Sequence, residues 1–236
     1  MGKKGKLFLI PVGLAPGAPE AFLPAGTIEV VRSLEVFVVE DLRTARRFLK
    51  SAGHKKNLNE IKFLLLNEHT PQEEIIALLK IVHSGQSMGL LSEAGLPCVA
   101  DPGSNLVAMA HEQHLSVVPL VGPSSIMLAL MASGMNGQQF VFHGYLPVQK
   151  SERAKKLREI EIASLRTGFS QIFIETPYRN MQMLITITEV CRESTLLCIA
   201  RDLGSDHEII LTQTISEWKK SKPDIHKRPA VFLINH

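Results

Sequence analysis

Long apolar runs are what this sequence most plainly lacks. No stretch approaches the roughly 20 consecutive apolar residues of a membrane-spanning helix, so no membrane association is expected. The N-terminal Met1-Gly-Lys-Lys-Gly-Lys6 passes straight into Leu7-Phe-Leu-Ile10. It has neither the longer apolar segment nor the small-residue cleavage site of a signal peptide. Cysteine is scarce as well. Cys98, Cys191 and Cys198 are odd in number and fall in no metal-ligand spacing, which argues against a disulfide framework and structural zinc and fits a reducing cytoplasm. The expectation is a cytoplasmic protein with no metal. A net charge of only +3 permits an anionic partner without requiring one. The common nucleotide and hydrolase signatures are missing too. Gly122-Pro-Ser-Ser125 is not followed by Gly-Lys-Ser/Thr, no Gly-x-Gly-x-x-Gly follows any strand-like run, and neither Ser124 nor Ser125 lies in Gly-x-Ser-x-Gly. P-loop, conventional dinucleotide and serine-hydrolase chemistries are thereby disfavoured.

What is present reads as an ordinary globular chain of 236 residues, 45% hydrophobic and 21% charged, long enough for one large core or two modest ones. Its organising stretch is 88–125, where two short apolar runs each stop at a loop of Gly, Pro and small polar residues, with a helical pattern between them. The first half repeats that grammar. Strands are expected at 6–10, 36–39, 61–66, 88–91 and 117–121, and helices at 27–33, 44–52, 72–83, 105–114 (capped by Ser104) and 124–133. Residues 14–24 are too rich in Pro and Gly for regular structure. Strands alternating with helices predict a mostly parallel five-stranded sheet whose loops emerge on one edge. Ligands of such sheets settle outside the carboxyl ends of the strands, which points to 92–97 and 122–125. The rhythm changes after Met135, with strands expected at 140–143, 171–174, 196–200, 208–213 and 230–234 and helices at 151–165 and 180–192. These predict a second, mixed sheet. The fold class is thus α/β with two α/β domains, 1–121 and 122–236.

Several motifs carry two readings. His111-Glu-Gln-His114 is spaced i, i+3, not the i, i+4 of a helical metal pair, and is expected to be a solvated helix end. Met127, Met131 and Met135 recur every four residues and are expected to form a core stripe. Glu40-Asp-Leu-Arg43 puts two carboxylates at the end of a buried strand, where they must be solvated, paired or used; Arg43 could pair with either. Basic residues gather at 43–56, 150–158 and 219–228, as solvated faces or as a surface for an anionic partner.

The chain resembles the tetrapyrrole methylase superfamily of S-adenosylmethionine-dependent methyltransferases, and within it the bacterial small-subunit rRNA ribose-2'-O-methyltransferase I branch. The residues that carry the likeness are Ile10-Pro-Val-Gly-Leu14, Glu40-Asp-Leu-Arg43, Asn67-Glu-His69, Ser92-Glu-Ala-Gly-Leu-Pro97, Asp101-Pro-Gly103, Val121-Gly-Pro-Ser124, Gly144-Tyr-Leu-Pro147, Phe173-Ile-Glu-Thr-Pro-Tyr-Arg179 and Ala200-Arg-Asp-Leu203. They stand in collinear order over essentially the whole chain. Departures from the branch include Leu14 for Asn, Leu42 for Thr, Asn67 for His, Glu93 for Asp and Leu96 for Thr, and its C-terminal helical extension is not seen. The resemblance implies a homodimer acting on ribosomal RNA, with S-adenosylmethionine folded into a cleft between two domains. It implies cofactor contacts from Pro11, Ser92, Ala94, Gly95, Leu96, Pro97, Gly122, Pro123, Ser124, Ser125, Glu175, Ala200 and Arg201. Glu40, Asp41, His69 and Glu93 are the candidates for taking the acceptor's proton, and Arg43 and Arg201 for holding a substrate phosphate. A tetrapyrrole or other small acceptor, or cofactor binding without catalysis, are the alternatives.

Overall fold

The computed structural model describes residues 4–221 and 223–236. Met1–Lys3 of the expected leaderless start, and Lys222 of the third basic cluster, lie outside the described residues. The chain divides into two compact units, the first ending at Ser124 and the second running from Ser125 to His236.

In the first unit, strands β1 (Lys6–Ile10), β2 (Val36–Val39), β3 (Lys62–Leu65), β4 (Met88–Leu91) and β5 (Ser116–Pro119) make one sheet in the order β3-β2-β4-β1-β5. Every pairing is parallel. The inner strands β2 and β4, Val-Phe-Val-Val and Met-Gly-Leu-Leu, are buried at every residue, as strands covered on both faces must be. Gly89 is what lets β4 sit there. A Cβ on it would lie 2.4 Å from Ile10 Cδ1.

The connections step one way from β1 to β3 and back the other way to β5. Right-handed crossovers therefore put helices on opposite faces. Helices α1 (Ala25–Ser33) and α2 (Leu42–Ser51) pack Ile28, Val31, Phe48 and Leu49 against Ile10, Phe37 and Val39. Helices α3 (Gln72–His83) and α4 (Ser104–Glu112) pack Leu79, Val82, Leu106 and Ala110 against Leu7, Val38 and Met88.

Helices α1 and α2 each begin two residues before the expected 27 and 44, and further expectations for this unit need correction. Strand β5 runs from Ser116 to Pro119, starting one residue before 117 and ending two short of 121, and Leu120 still donates to the Leu9 carbonyl at 3.0 Å just beyond it. Ser104 does not cap α4; the N-cap is Gly103 at φ 128°, a backbone state that leaves Ser104 as the first helical residue. The 14–24 segment holds a 3₁₀ turn at Pro19–Ala21, with Pro19 and Leu23 buried.

The second unit opens with α5 (Ser125–Ser133), then β6 (Phe140–Tyr145), α6 (Lys150–Thr167), β7 (Ser170–Ile174), α7 (Asn180–Val190), β8 (Leu196–Arg201), β9 (Ile209–Thr214), α8 (Ile215–Trp218) and β10 (Ala230–Asn235). Its sheet runs β6-β7-β10-β8-β9. Only β6–β7 is parallel, so the sheet is mixed as expected. Helices α6, α7 and α8, the last through Trp218, cover one face over Phe173, Ile199 and Phe232, and α5 packs on β8, β9 and β10. The four-residue α8 was not expected; a capping box between Thr214 and Glu217 starts it.

The methionine stripe is also corrected. Helix α5 buries Ile126, Ala129, Leu130 and Ser133, leaving Met127 44% and Met131 77% exposed. Every side of this helix is apolar or small, so spacing alone does not select the buried face. His111 and His114 are exposed at the end of α4, as expected for a solvated terminus. No helix among the described residues is long and apolar enough to cross a membrane.

Candidate functional site

The carboxyl ends of β1, β4 and β5 are stitched together by their loops. Val12 and Gly95 exchange two backbone hydrogen bonds, 2.9 and 3.0 Å long, as an isolated antiparallel bridge. A Cβ on Gly122 would lie 2.3 and 2.5 Å from two ring carbons of Pro11, so only glycine lets the loop after β5 approach the one after β1 this closely. Thr27 Oγ1 donates to the Val121 carbonyl at 2.9 Å, tying α1 to the same edge. Pro11, Ser92, Gly95 and Pro97 are buried there, while Glu93 and Ala94 are exposed. Leu14, at its departure from the branch pattern, sits 3.2 Å from where a Gly95 Cβ would be.

The loop after β4 is backbone-strained. Gly95 (φ 71°), Cys98 (φ 66°), Ala100 (φ 55°) and Gly103 (φ 128°) all take positive φ within nine residues. For Cys98 and Ala100 that conformation costs energy, and such strain gathers at ligand sites. Ser92 Oγ pins the loop, donating to Asp101 Oδ2 at 2.7 Å and lying 3.0 Å from the Ala94 carbonyl.

Four carboxylates meet beside this loop. Asp41 caps α2, accepting from the Arg43 and Thr44 amides at 2.8 and 2.9 Å, and these bonds hold its pKa below the ordinary value. Glu93 Oε1 accepts from Thr44 Oγ1 at 2.7 Å and from the Asp41 amide at 3.3 Å. Glu40 is raised by desolvation and then by the charges of Glu93 and Glu68. Asp101 is pushed up to about 6, chiefly by burial and further by Glu40 and Glu93, against the lowering effect of Ser92. Arg43 is close enough to Asp41 to lower it but forms no ion pair among the described residues. His69 stands apart at the end of β3, its side chain 86% exposed and 3.4 Å from Glu68.

In the second unit, Ile174 and Ala200 flank Val231 from either side of β10, which puts Glu175 and Arg201 on one sheet edge. Glu175 Oε1 accepts from the Thr176 amide and from Arg179 at 2.6 Å each, and from Arg179 Nε at 3.0 Å. Its Oε2 is buried with no donor. Arg201 is committed to Asp202 at 2.6 Å and the His207 carbonyl at 3.2 Å; its charge is neutralised in place and less available to a phosphate than expected.

Comparison with known proteins gives the family of the chain. The family model of tetrapyrrole (corrin/porphyrin) methylases matches residues 8–219. The chain belongs to that family. It is 30% identical over 234 residues to the ribosomal RNA small subunit methyltransferase I of Escherichia coli O157:H7, spanning 98% of this chain and 78% of that one. It is 32% identical over 212 residues to the protein of the same name from Vibrio cholerae serotype O1, spanning 89% and 70%. The crystal structure of a diphthine synthase shares the fold at TM-score 0.66 and 16% identity, over 98% of this chain and 90% of that one. This tetrapyrrole methylase is an S-adenosylmethionine-dependent methyltransferase.

The residues of the methylase fit such a cofactor on two observations. The glycine-shaped edge at Pro11, Gly95 and Gly122 leaves backbone rather than side chains near the strand ends. Glu175 Oε2 lacks a donor that a ligand hydroxyl or amine would supply. Asp101 was missed as a candidate base because its basicity comes first from burial and then from the nearby Glu40 and Glu93, none of which a local pattern reveals; the Asp101-Pro-Gly turn was the only signal. Cys98, in the same loop, is held as the thiol, since burial and then Asp101 push its pKa up to about 11. No cluster of three or more His, Cys, Asp or Glu among the described residues is arranged to hold a metal.

Proposed function

We propose that the methylase transfers a methyl group to a ribose 2'-hydroxyl of ribosomal RNA. The names of the relatives, matched along nearly the whole chain, support the acceptor. The observation that carries the chemistry is the strained, Ser92-pinned loop with two carboxylates of raised pKa beside it. Bound S-adenosylmethionine supplies an electrophilic methyl carbon on its sulfonium. Pro11, Ser92, the 94–97 loop and Gly122–Ser125 would hold the cofactor. Within the second unit, Glu175 Oε2, with Ala200 and Arg201 on the same edge, offers a further ligand acceptor.

A ribose hydroxyl is a weak nucleophile and gains from losing its proton as the bond forms. Asp101 and Glu40 are the stronger bases of the cluster, and a carboxylate near 6 is both ionised and basic at neutral pH. Asp41 and Glu93 have their oxygens engaged in building the N-terminus of α2 and act as positioning groups. Alignment of hydroxyl and methyl carbon supplies most of the acceleration. The protein is further proposed to be a cytoplasmic homodimer, supported by its unpaired cysteines and the exposed methionines of α5.

The deciding experiment offers tritiated S-adenosylmethionine with two acceptors, small ribosomal subunits from cells lacking the protein and uroporphyrinogen. Label is expected in the RNA, within dinucleotides that survive alkaline hydrolysis, since a 2'-O-methyl group blocks cleavage. Label in the porphyrinogen alone, or in neither acceptor, would reject the RNA assignment.

A further inference from the structure

Of the three basic clusters in the sequence, two are partly engaged within the protein. In the second cluster Lys150 pairs with Glu189 at 2.9 Å, and Arg153 is buried on Thr186 and the Val148 carbonyl. The remaining cations of α6 alternate with Glu152, Glu159 and Glu161. In the third, Lys219 pairs with Glu193, Arg228 with Asp202 and Asp224, and Lys227 lies over the Tyr178 ring.

The first cluster is different. Arg43, Arg46, Arg47 and Lys50 fall at i, i+3, i+4 and i+7 of α2, all exposed. None forms an ion pair among the described residues. Arg46 lies over the half-buried Phe63 ring at 5.5 Å, next to the exposed Lys62 of edge strand β3. The Arg46–Phe63 contact and Lys50 in the last turn favour the folded helix, but the rest of the arrangement does not. Like charges at these spacings repel, and an arginine in the first turn opposes the helix dipole.

We propose that the exposed face of α2 is the track that receives the phosphates of the RNA acceptor; this rests on the RNA reading above and adds where the polynucleotide lies. The helix is fastened to the candidate site by the Thr44–Glu93 and Asp41–Glu93 hydrogen bonds, so a strand on this face arrives at the strained loop. The stripe is about 10 Å long at 1.5 Å per residue, long enough to meet more than one phosphate of a strand. The strand would approach the site past Arg43, with the Arg46–Phe63 pair offering a flat surface for an unstacked base.

The test neutralises the part of the stripe farthest from the site, Arg46→Gln/Arg47→Gln/Lys50→Gln, beside a control on α6, Lys155→Gln/Arg158→Gln. Binding to small-subunit rRNA is measured across a salt series, and methyl transfer is measured with RNA and with cofactor varied. The triple variant is expected to raise KM for RNA at least tenfold and to make the slope of log K against log salt shallower by about 2, from 0.7 per released counterion. Cofactor affinity, melting temperature and kcat at saturating RNA should match the wild type, and the control should change none of these. An active wild type with an unaffected triple variant would overturn this assignment alone. A wild type that neither binds nor methylates RNA would overturn the RNA reading with it. Binding to phosphatidylserine vesicles in place of RNA, abolished in the triple variant, would reassign the face to a lipid surface.

Discussion

Gly122 and Asp101 show how differently single residues can serve one edge. At Gly122 the constraint is space. A methyl group there meets the Pro11 ring at 2.3 Å, and a proline ring in a bridged loop cannot step aside. Gly122→Ala should destabilise the protein by roughly 1–3 kcal/mol, as overpacking does, and weaken cofactor binding, both readable by thermal melts with and without S-adenosylmethionine. At Asp101 the constraint is charge. Its folded pKa, about 6, lies above the ordinary 3.8, so the native state holds the proton more tightly than the unfolded chain does. The penalty for ionising it in place grows as pH rises from about 4 to about 6 and is constant above that. In Asp101→Asn that fall in stability should vanish from a pH series of melts. The rising limb of kcat against pH near 6 should disappear with it; a limb unchanged in the variant would remove Asp101 from the proton path. The glycine pattern and the Ser92–Pro97 loop were legible in the sequence, since strand ends and turn chemistry are local. The elevated Asp101 was not, because its causes are burial and a meeting of residues far apart in the chain.

Among the elements, α2 carries most of the argument about the site. It begins at Leu42, two residues before the position expected from apolar spacing, because the Asp41 carboxylate satisfies the amides of Arg43 and Thr44. Removing that cap in Asp41→Ala should cost about 1 kcal/mol and reduce turnover through the displaced Glu93. Asp41→Asn caps nearly as well and should restore both stability and turnover. A dead Asn variant of normal stability would instead make Asp41 the base. Strand limits were read well where a proline or a polar residue stopped an apolar run, as at β1, β2 and β4. Helices were read less well where an end depends on a side-chain cap or a positive φ, as at Asp41 and Gly103. Helix α5 had the right span and the wrong buried face, because a segment apolar all round gives periodicity nothing to distinguish.

For the whole molecule, the α/β class and the change from a parallel to a mixed sheet followed from how closely the strands are spaced along the chain. Self-association did not. Met131, 77% exposed, is the residue on which the homodimer proposal is most easily tested. Met131→Asp should shift the protein from dimer to monomer in sedimentation equilibrium, with the circular dichroism spectrum unchanged; a wild type that sediments as a monomer would remove the dimer outright.

The place of β1 in its sheet has a consequence for how this protein is made. Both of its neighbours, β4 and β5, are encoded much later, at 88–91 and 116–119. On the ribosome β1 must therefore wait for roughly 80 further residues, about 4–16 s at ordinary elongation rates, before its first partner exists, and for roughly 110 before it has both. Nascent chains stalled before Pro119 clears the exit tunnel should stay protease-sensitive in their opening segment. Strand β1 leaves the tunnel well before both of its neighbours and is sheltered only after them, so it is one that a ribosome-bound chaperone would need to hold.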